Sequence, residues 1–211
     1  MIQHETNAAI VLLAAGEGRR FGGIKQLATL HGEPLVHRAA RLLLATGTPV
    51  IVVTGAHANA VEAALDALPV HRVRNAAWQS GMGTSLATGF RYLLEHFETA
   101  TGALLCLADQ PLPDAELPIR MLQRHAQAPD RLFAVAHGSV AGPPVLFPRD
   151  CFVELSEWSG QAGAQALLHR EAQRLETFAV ELLPDIDTPE DLDQADRQLR
   201  HREEWQVSRE P

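Results

Sequence analysis

Cysteine is scarce in this chain. Cys106 and Cys151 stand far apart and neither belongs to a CxxC pair, which argues against a zinc knuckle or a redox dithiol. Cys106 lies inside an apolar run and reads as a core residue. Positive charge is in deficit as well: 18 Lys and Arg against 26 Asp and Glu give a formal net charge of -8. Such a surface has no general attraction for nucleic acid or an acidic membrane, although a local basic pocket for a phosphorylated ligand is compatible with it. The apolar run Ala8–Ala15 is too short to span a bilayer and ends at Gly16. The first residues lack a basic n-region and a cleavable apolar core, so a cytoplasmic location is the default expectation. The ten histidines show no metal-ligand spacing. Repeats and Ser/Gly-rich linkers are also missing, and 211 residues suit one domain of ordinary size.

What the chain does have is alternation. Short apolar runs that read as strands occur at Ala8–Ala14, Val50–Thr54, Ala103–Leu107 and Leu132–Ala136, with a weaker one at His71–Arg74. Between them lie helix-period stretches at Leu35–Thr46, Ala58–Leu68, Thr84–Phe97 and Leu117–Ala128. Two prolines make Pro143–Phe147 extended rather than helical. Phe152–Trp158 and Ala164–Arg174 are expected to be helical. Thr177–Leu182 is expected to be a strand with Phe178, Val180 and Leu182 on one face, and residues 190–204 form a charged terminal helix. This density of strand–helix alternation predicts an α/β fold with a mainly parallel sheet. Ligands of such sheets bind beyond the carboxyl ends of the strands, near a reversal in strand order.

The residues just after the first run carry the strongest signal. Leu13-Ala14-Ala15-Gly16-Glu17-Gly18-Arg19-Arg20-Phe21-Gly22-Gly23-Ile24-Lys25 places four glycines and three cations directly after a buried strand. Glycines let backbone N–H groups approach an anion without Cβ interference, and fixed cations match a triphosphate. A Rossmann fingerprint fails because Phe21 stands where its third glycine belongs. A Walker loop fails because Lys25 lies between Ile24 and Gln26 rather than after a glycine.

The spacing L-A-A-G-x-x-x-R-x-G-x-x-K resembles the molybdopterin nucleotidyltransferases, an NTP transferase domain of the MobA-like type. Ala14-Ala15-Gly16 is similar to the cytidylyltransferase branch. The resemblance covers roughly residues 8–195 and implies one domain over 1–211 with a polar tail from 196. It implies a three-layer α/β sandwich with a Rossmann-like sheet, of the nucleotide-diphospho-sugar transferase type. The loop would wrap the nucleotide through Leu13, Ala14, Ala15, Gly16, Glu17, Gly18 and Gly22, with Arg20 and Lys25 stabilising phosphate charge. Leu107-Ala108-Asp109-Gln110-Pro111 matches the family's L-x-D-x-P, which makes Asp109 a Mg²⁺ ligand. Asp185-Ile186-Asp187-Thr188-Pro189 resembles the closing motif. Asp187 is therefore a candidate second metal contact or acceptor contact, though Thr188-Pro189 also suits a helix N-terminus. The segment Asn75–Leu86 resembles the part that closes over base and ribose. Ser80, Gly81, Met82 and Ser85 are its expected contacts, using free amides at the start of the following helix, while Trp78 is expected to pack.

Two positions depart from the pattern. Gln161 stands where the family carries an acid and Gln165 where it carries a cation. The resemblance implies transfer of CMP from CTP to a phosphorylated acceptor, molybdopterin first, with a molybdenum hydroxylase as recipient of the product. A sugar or polyol phosphate acceptor remains an alternative, as does a non-catalytic nucleotide-binding accessory protein.

Overall fold

A computed structural model describes residues 7–207 apart from 113, 139, 161, 162, 181, 182 and 184. Gln161 and the end of the predicted strand at Leu182 therefore lie outside the described residues. The strands are β1 (Ala8–Ala14), β2 (Thr29–Leu30), β3 (Glu33–Pro34), β4 (Val50–Thr54), β5 (His71–Arg74), β6 (Gly102–Leu107), β7 (Leu132–His137), β8 (Val140–Pro148) and β9 (Leu175–Phe178). The helices are α1 (Leu35–Leu44), α2 (Ala58–Ala63), α3 (Met82–His96), α4 (Glu116–Gln127), α5 (Phe152–Ser156), α6 (Gln165–Arg170) and α7 (Pro189–Val207).

Seven strands form one sheet in the order β5-β4-β1-β6-β8-β7-β9. Its neighbours run parallel except for β8, which is antiparallel to both β6 and β7. The mainly parallel α/β sheet read from the alternation is therefore the observed one. Every residue of β1 is buried because both faces are covered. Ile10 and Leu12 pack with α1, α2 and α4 through Val36, Leu43, Val61 and Met121. Val11 and Leu13 point to the opposite layer, where Leu86, Phe90, Phe152 and Leu167 come from α3, α5 and α6. A third, smaller cluster joins Leu30 and Leu35 to Ile186, Ala195 and Leu199, seating α7 on the β2–β3 hairpin.

Several predicted boundaries shift. The helix expected over Ala58–Leu68 ends at Ala63, and the chain continues in tighter turns, with Leu65 N–H donating to Glu62 at 3.0 Å and Leu68 N–H to Leu65 at 3.0 Å. Three-residue turns keep a similar apolar spacing, so the pattern alone does not separate the two. The stretch Ala164–Arg174 likewise splits into α6 and a short 3₁₀ turn over Ala172–Arg174. The strand expected over Thr177–Leu182 begins earlier, at Leu175, and ends at Phe178 opposite Val135. Val180 still packs on the core after leaving the ladder. The β2–β3 hairpin, turned by His31 and Gly32 at positive φ, is too short to leave a periodic signal.

Gly102 opens β6 beneath α4. A Cβ there would fall on the His125 ring, which is buried and whose Nε2 faces the Thr101 hydroxyl at 3.3 Å. Burial pushes the His125 imidazole below its ordinary value, against the Thr101 hydrogen bond. The unfolded chain then takes up a proton near pH ~6.5 that the folded chain refuses, so stability is retained above that pH and lost as pH falls below it. The urea midpoint is expected to drop between neutral pH and pH ~5.5, and His125→Leu is expected to flatten that drop. An equal slope in both proteins would remove His125 as the cause.

Candidate active site

The strand order reverses around β1. The chain moves outward through β4 and β5, then returns by α3 to β6 on the other side of β1. The loops leaving β1 and β6 therefore diverge and open a crevice at their carboxyl ends. The two strands stay in step up to Leu13 and Leu107, and Ala108 N–H donates to the Leu13 carbonyl at 3.0 Å. Asp109 follows at once, facing the glycine loop.

That loop folds back on itself. Gly18 and Gly22 take φ values of 71° and 76°, in the left-handed region that favours glycine. Gly18 also lies so near Lys25 and the Gly23 carbonyl that a Cβ would meet them at 3.1 and 3.2 Å. A 3₁₀ turn over Lys25–Leu27 then returns the chain to the crevice. Gln26 is buried in this turn, and its amide nitrogen donates to the carbonyls of Gly16 at 2.7 Å and Ala14 at 3.3 Å. Gln26 thus pins both ends of the phosphate-loop candidate. Sequence reasoning missed it; its only signal is a polar amide beside Lys25.

Four charged candidates converge. Lys25 Nζ lies 2.7 Å from Asp109 Oδ2 and 3.2 Å from Asp187 Oδ1, while Arg20 Nη2 lies 2.8 Å from Asp187 Oδ2. The Lys25 side chain is only 10% exposed, against 76% for that of Arg20. Burial works against the Lys25 charge, but the carboxylates of Asp109 and Asp187 outweigh it and hold the ammonium above the ordinary lysine value. Desolvation and the Asp109 charge push the carboxyl of neighbouring Asp185 upward, against a Gln110 hydrogen bond.

Main-chain bonds fix these carboxylates. Ile186 N–H donates to the Asp109 carbonyl at 2.8 Å, so the segment bearing Asp187 is tied to the one bearing Asp109. Asp191 Oδ2 accepts from the N–H groups of Asp187 and Thr188, and the Thr188 hydroxyl accepts from Asp191 N–H at 3.2 Å. This is a capping box with aspartate at its third position. Thr188 and Asp191 do the capping expected at this helix start, which leaves Asp187 to face Lys25 and Arg20.

Two connected spaces flank the cluster. Leu13, Ala14, Gly16, Gly18, Lys25, Gln26, Ala108 and Asp109 line a small one of about 70 Å³. A larger one of about 390 Å³ runs along Ala15, Gly16, Glu17 and Gly18 to Gly81, Met82 and Ser85. Trp78 and Gln79 line it, whereas Ser80 does not, and Gly22 lines neither space. Trp78, expected only to pack, does both: its Cβ lies 2.9 Å from where a Cβ on Gly55 would stand. Glu17 is held at the rim by Arg19 at 2.7 Å. Asn75, which opens the Asn75–Leu86 segment but is not among its expected contacts, organises this wall by donating to Thr84 Oγ1 at 2.8 Å and Ser85 Oγ at 2.9 Å.

The start of α3 departs from expectation. Its amides were to be free for a ligand, yet Gly83 N–H donates to the Gly160 carbonyl at 3.0 Å and Thr84 N–H to Gly81 at 3.2 Å. A Cβ on Gly83 would lie 2.7 Å from the Ser159 carbonyl carbon, so glycine is what lets the two segments meet. Gln165, at the position of a missing cation, donates its amide nitrogen to the Ala141 carbonyl at 2.8 Å. It joins α6 to β8.

The MobA-like NTP transferase domain model matches residues 10–176. Nicotine blue oxidoreductase of Paenarthrobacter nicotinovorans is 35% identical over 202 residues, covering 90% of this chain and 94% of that protein. Among solved structures, a nucleotidyl transferase from Methanothermobacter thermautotroptrophicus superimposes with TM-score 0.75 at 23% identity, covering 92% of this chain and 98% of that one. A manganese complex of Rv0371C from Mycobacterium tuberculosis H37Rv gives TM-score 0.70 at 25% identity, covering 91% and 98%.

Replacing Gln26 by Ala removes both of its bonds and leaves the buried Ala14 and part-buried Gly16 carbonyls without that donor. A loss of ~1–3 kcal/mol in urea unfolding is expected, and an unchanged midpoint would show that the loop holds its shape without Gln26.

Proposed function

This chain belongs to the MobA-like NTP transferase domain family, and on that premise we propose that it transfers CMP from CTP to a phosphorylated small molecule, releasing pyrophosphate. Nucleotidyl transfer is the activity class that the family supports. CTP as donor and molybdopterin as acceptor follow the sequence resemblance and belong to this proposal, as does delivery of the product to a molybdenum hydroxylase. The observation that carries the reading is the Lys25 ammonium held between Asp109 and Asp187 at the end of a glycine loop.

An acceptor phosphate oxygen attacks the α-phosphorus in line. The new P–O bond forms as the bond to the β-bridging oxygen breaks, and pyrophosphate leaves with that electron pair. The chain forms no covalent intermediate. Its residues position the reactants and neutralise negative charge. Gly16 and Gly18 let the loop backbone approach the phosphates, Lys25 and Arg20 supply cations, and Trp78, Gln79 and Ser85 border the space for base and ribose.

The residues present fit Mg²⁺. Asp109 and Asp187 offer hard carboxylate oxygens, and no group of three or more His, Cys, Asp or Glu able to hold a metal occurs among the described residues. Magnesium sites typically use one or two carboxylates completed by phosphate oxygens and water. The manganese complex of Rv0371C is consistent with a divalent ion on this scaffold. When bound, Mg²⁺ supplies further neutralisation of phosphate charge. Lys25 engages one oxygen of each carboxylate, so its ammonium competes with a dication for them, and a triphosphate would give it another partner.

A second reading has one specific observation in its favour. The relative covered over 94% of its length is named an oxidoreductase, which fits a cleft holding a redox dinucleotide instead of CTP. The described residues include no helix long and apolar enough to cross a membrane, and the proposed location is the cytoplasm.

Pyrophosphate release with each NTP, with and without molybdopterin, tests the main reading; a cytidine preference is expected. Oxidation of reduced nicotinamide coupled to reduction of an added two-electron acceptor dye, without pyrophosphate release, would favour the second. Lys25→Ala and Asp109→Ala are each expected to lose at least ~10²-fold in turnover, and near-normal release by either would remove its assigned role. Mn²⁺ titration followed by electron paramagnetic resonance should show weak binding alone and tighter binding with CTP. Lys25→Met should tighten binding without CTP by on the order of 10-fold, a coupling of ordinary size. No change in that variant would mean that Lys25 does not guard the carboxylates.

A further inference from the structure

We propose that His57 is a positioning residue for the glycine loop: with the main-chain N–H of Ala56 it holds two loop carbonyls aside, which turns the Gly16 and Gly18 amides toward a chain of linked phosphates. His57 lies in the turn between β4 and α2 and borders neither of the two spaces that flank the converging charges. The inference rests on reading the loop as the grip on a nucleotide's phosphates.

The turn is a fixed support. Ala58 N–H donates to the Gly55 carbonyl at 3.2 Å and Val61 N–H to the His57 carbonyl at 3.0 Å, with Val61 itself buried in the core. Gly55 presses against the loop, since a Cβ there would lie 2.6 Å from the Ala15 carbonyl oxygen and 2.9 Å from Trp78 Cβ. Ala15 and Trp78 both line the larger space, so the turn is wedged behind two of its walls.

From this support two donors reach the loop. Ala56 N–H donates to the Ala15 carbonyl at 3.1 Å, and His57 Nε2 lies 3.2 Å from the Glu17 carbonyl oxygen. A carbonyl only accepts, so Nε2 carries the ring proton in this contact. A trans peptide points its C=O and the following N–H in opposite directions. With the Ala15 and Glu17 carbonyls drawn to the turn, the N–H groups of Gly16 and Gly18 face away from it. The carbonyl between them, that of Gly16, accepts from Gln26 at 2.7 Å instead. Gln26, Gly16 and Gly18 border the small space together with Lys25 and Asp109, which puts both amides on the side of the ammonium. Neither amide has an acceptor among the described residues. Free N–H groups beside a cation suit phosphate oxygens, and peptides held in place beforehand spare the ordering cost of binding.

The test uses the full chain, ¹⁵N-labelled, in a buffer with Mg²⁺, titrated with inorganic tripolyphosphate and, separately, with CTP. Tripolyphosphate is expected to shift the Gly16 and Gly18 amide signals saturably in the wild type. His57→Leu keeps the bulk and removes the donor, and should weaken tripolyphosphate and CTP on the order of 5-fold, the size of one net hydrogen bond. His57→Gln returns an N–H to the same reach and should restore both affinities. Equal weakening in Leu and Gln variants, or none in either, would overturn the proposal. If His57→Leu fails to fold, the ring nitrogens of the wild type still decide: an Nε2 signal without a proton sinks the inference. CTP binding that is indifferent to His57 removes this inference alone. Tripolyphosphate binding that depends on His57, with no gain for CTP, supports it and removes the nucleotide reading.

Discussion

A nearly buried ammonium has to be paired, and that requirement organises this molecule. Lys25 finds its partners in Asp109 and Asp187, which lie 84 and 162 residues further along the chain. An unpaired charge at such depth carries a large desolvation cost, so the three segments are bound to meet if the first strand is to be followed by its loop. The Ile186–Asp109 main-chain bond and the Thr188–Asp191 box set the distance between the two carboxylates independently of the lysine. The lysine therefore enters a preformed slot, and the slot is complete only when the segment after β9 has packed.

The same arrangement explains what could be read from the chain unaided. Strands covered on both faces announce themselves as continuous apolar runs, and β1 and β4 fall at the bounds expected. The loop glycines and Lys25 were legible because backbone approach and cation placement demand particular residue types at fixed spacing. Asp109 and Asp187 were legible as motif residues, but their shared hold on one ammonium was not, since sequence distance conceals it. Gln26 and Asn75 stayed hidden for another reason. Each acts through an amide that bonds to local backbone or hydroxyl groups, and an amide side chain in a loop looks like any solvated polar residue. The amides at the start of α3 misled because their partner, the Gly160 carbonyl, comes from a remote segment.

A redox-named relative and a transferase-type family sit together on this fold without physical contradiction. Grip on a phosphate chain needs glycines, cations and carboxylates, and these are compatible with group transfer or with simple retention of a dinucleotide. What distinguishes the two chemistries is the body presented beside the nucleotide. That body would meet different residues, and Gln165, bonded to the Ala141 carbonyl, belongs to this second set.

The antiparallel β8, wedged between β6 and β7, gives this separation a material form. The loop leaving β1, the turn after β6 and the segment before α7 bring Arg20, Lys25, Asp109 and Asp187 together, whereas Val145, Ala164 and Leu168, which line a further cavity, lie outside these ion pairs. Substitutions at Val145, Ala164 or Leu168 can therefore reshape that cavity's wall while the contacts of Lys25 with Asp109 and Asp187 stay in place.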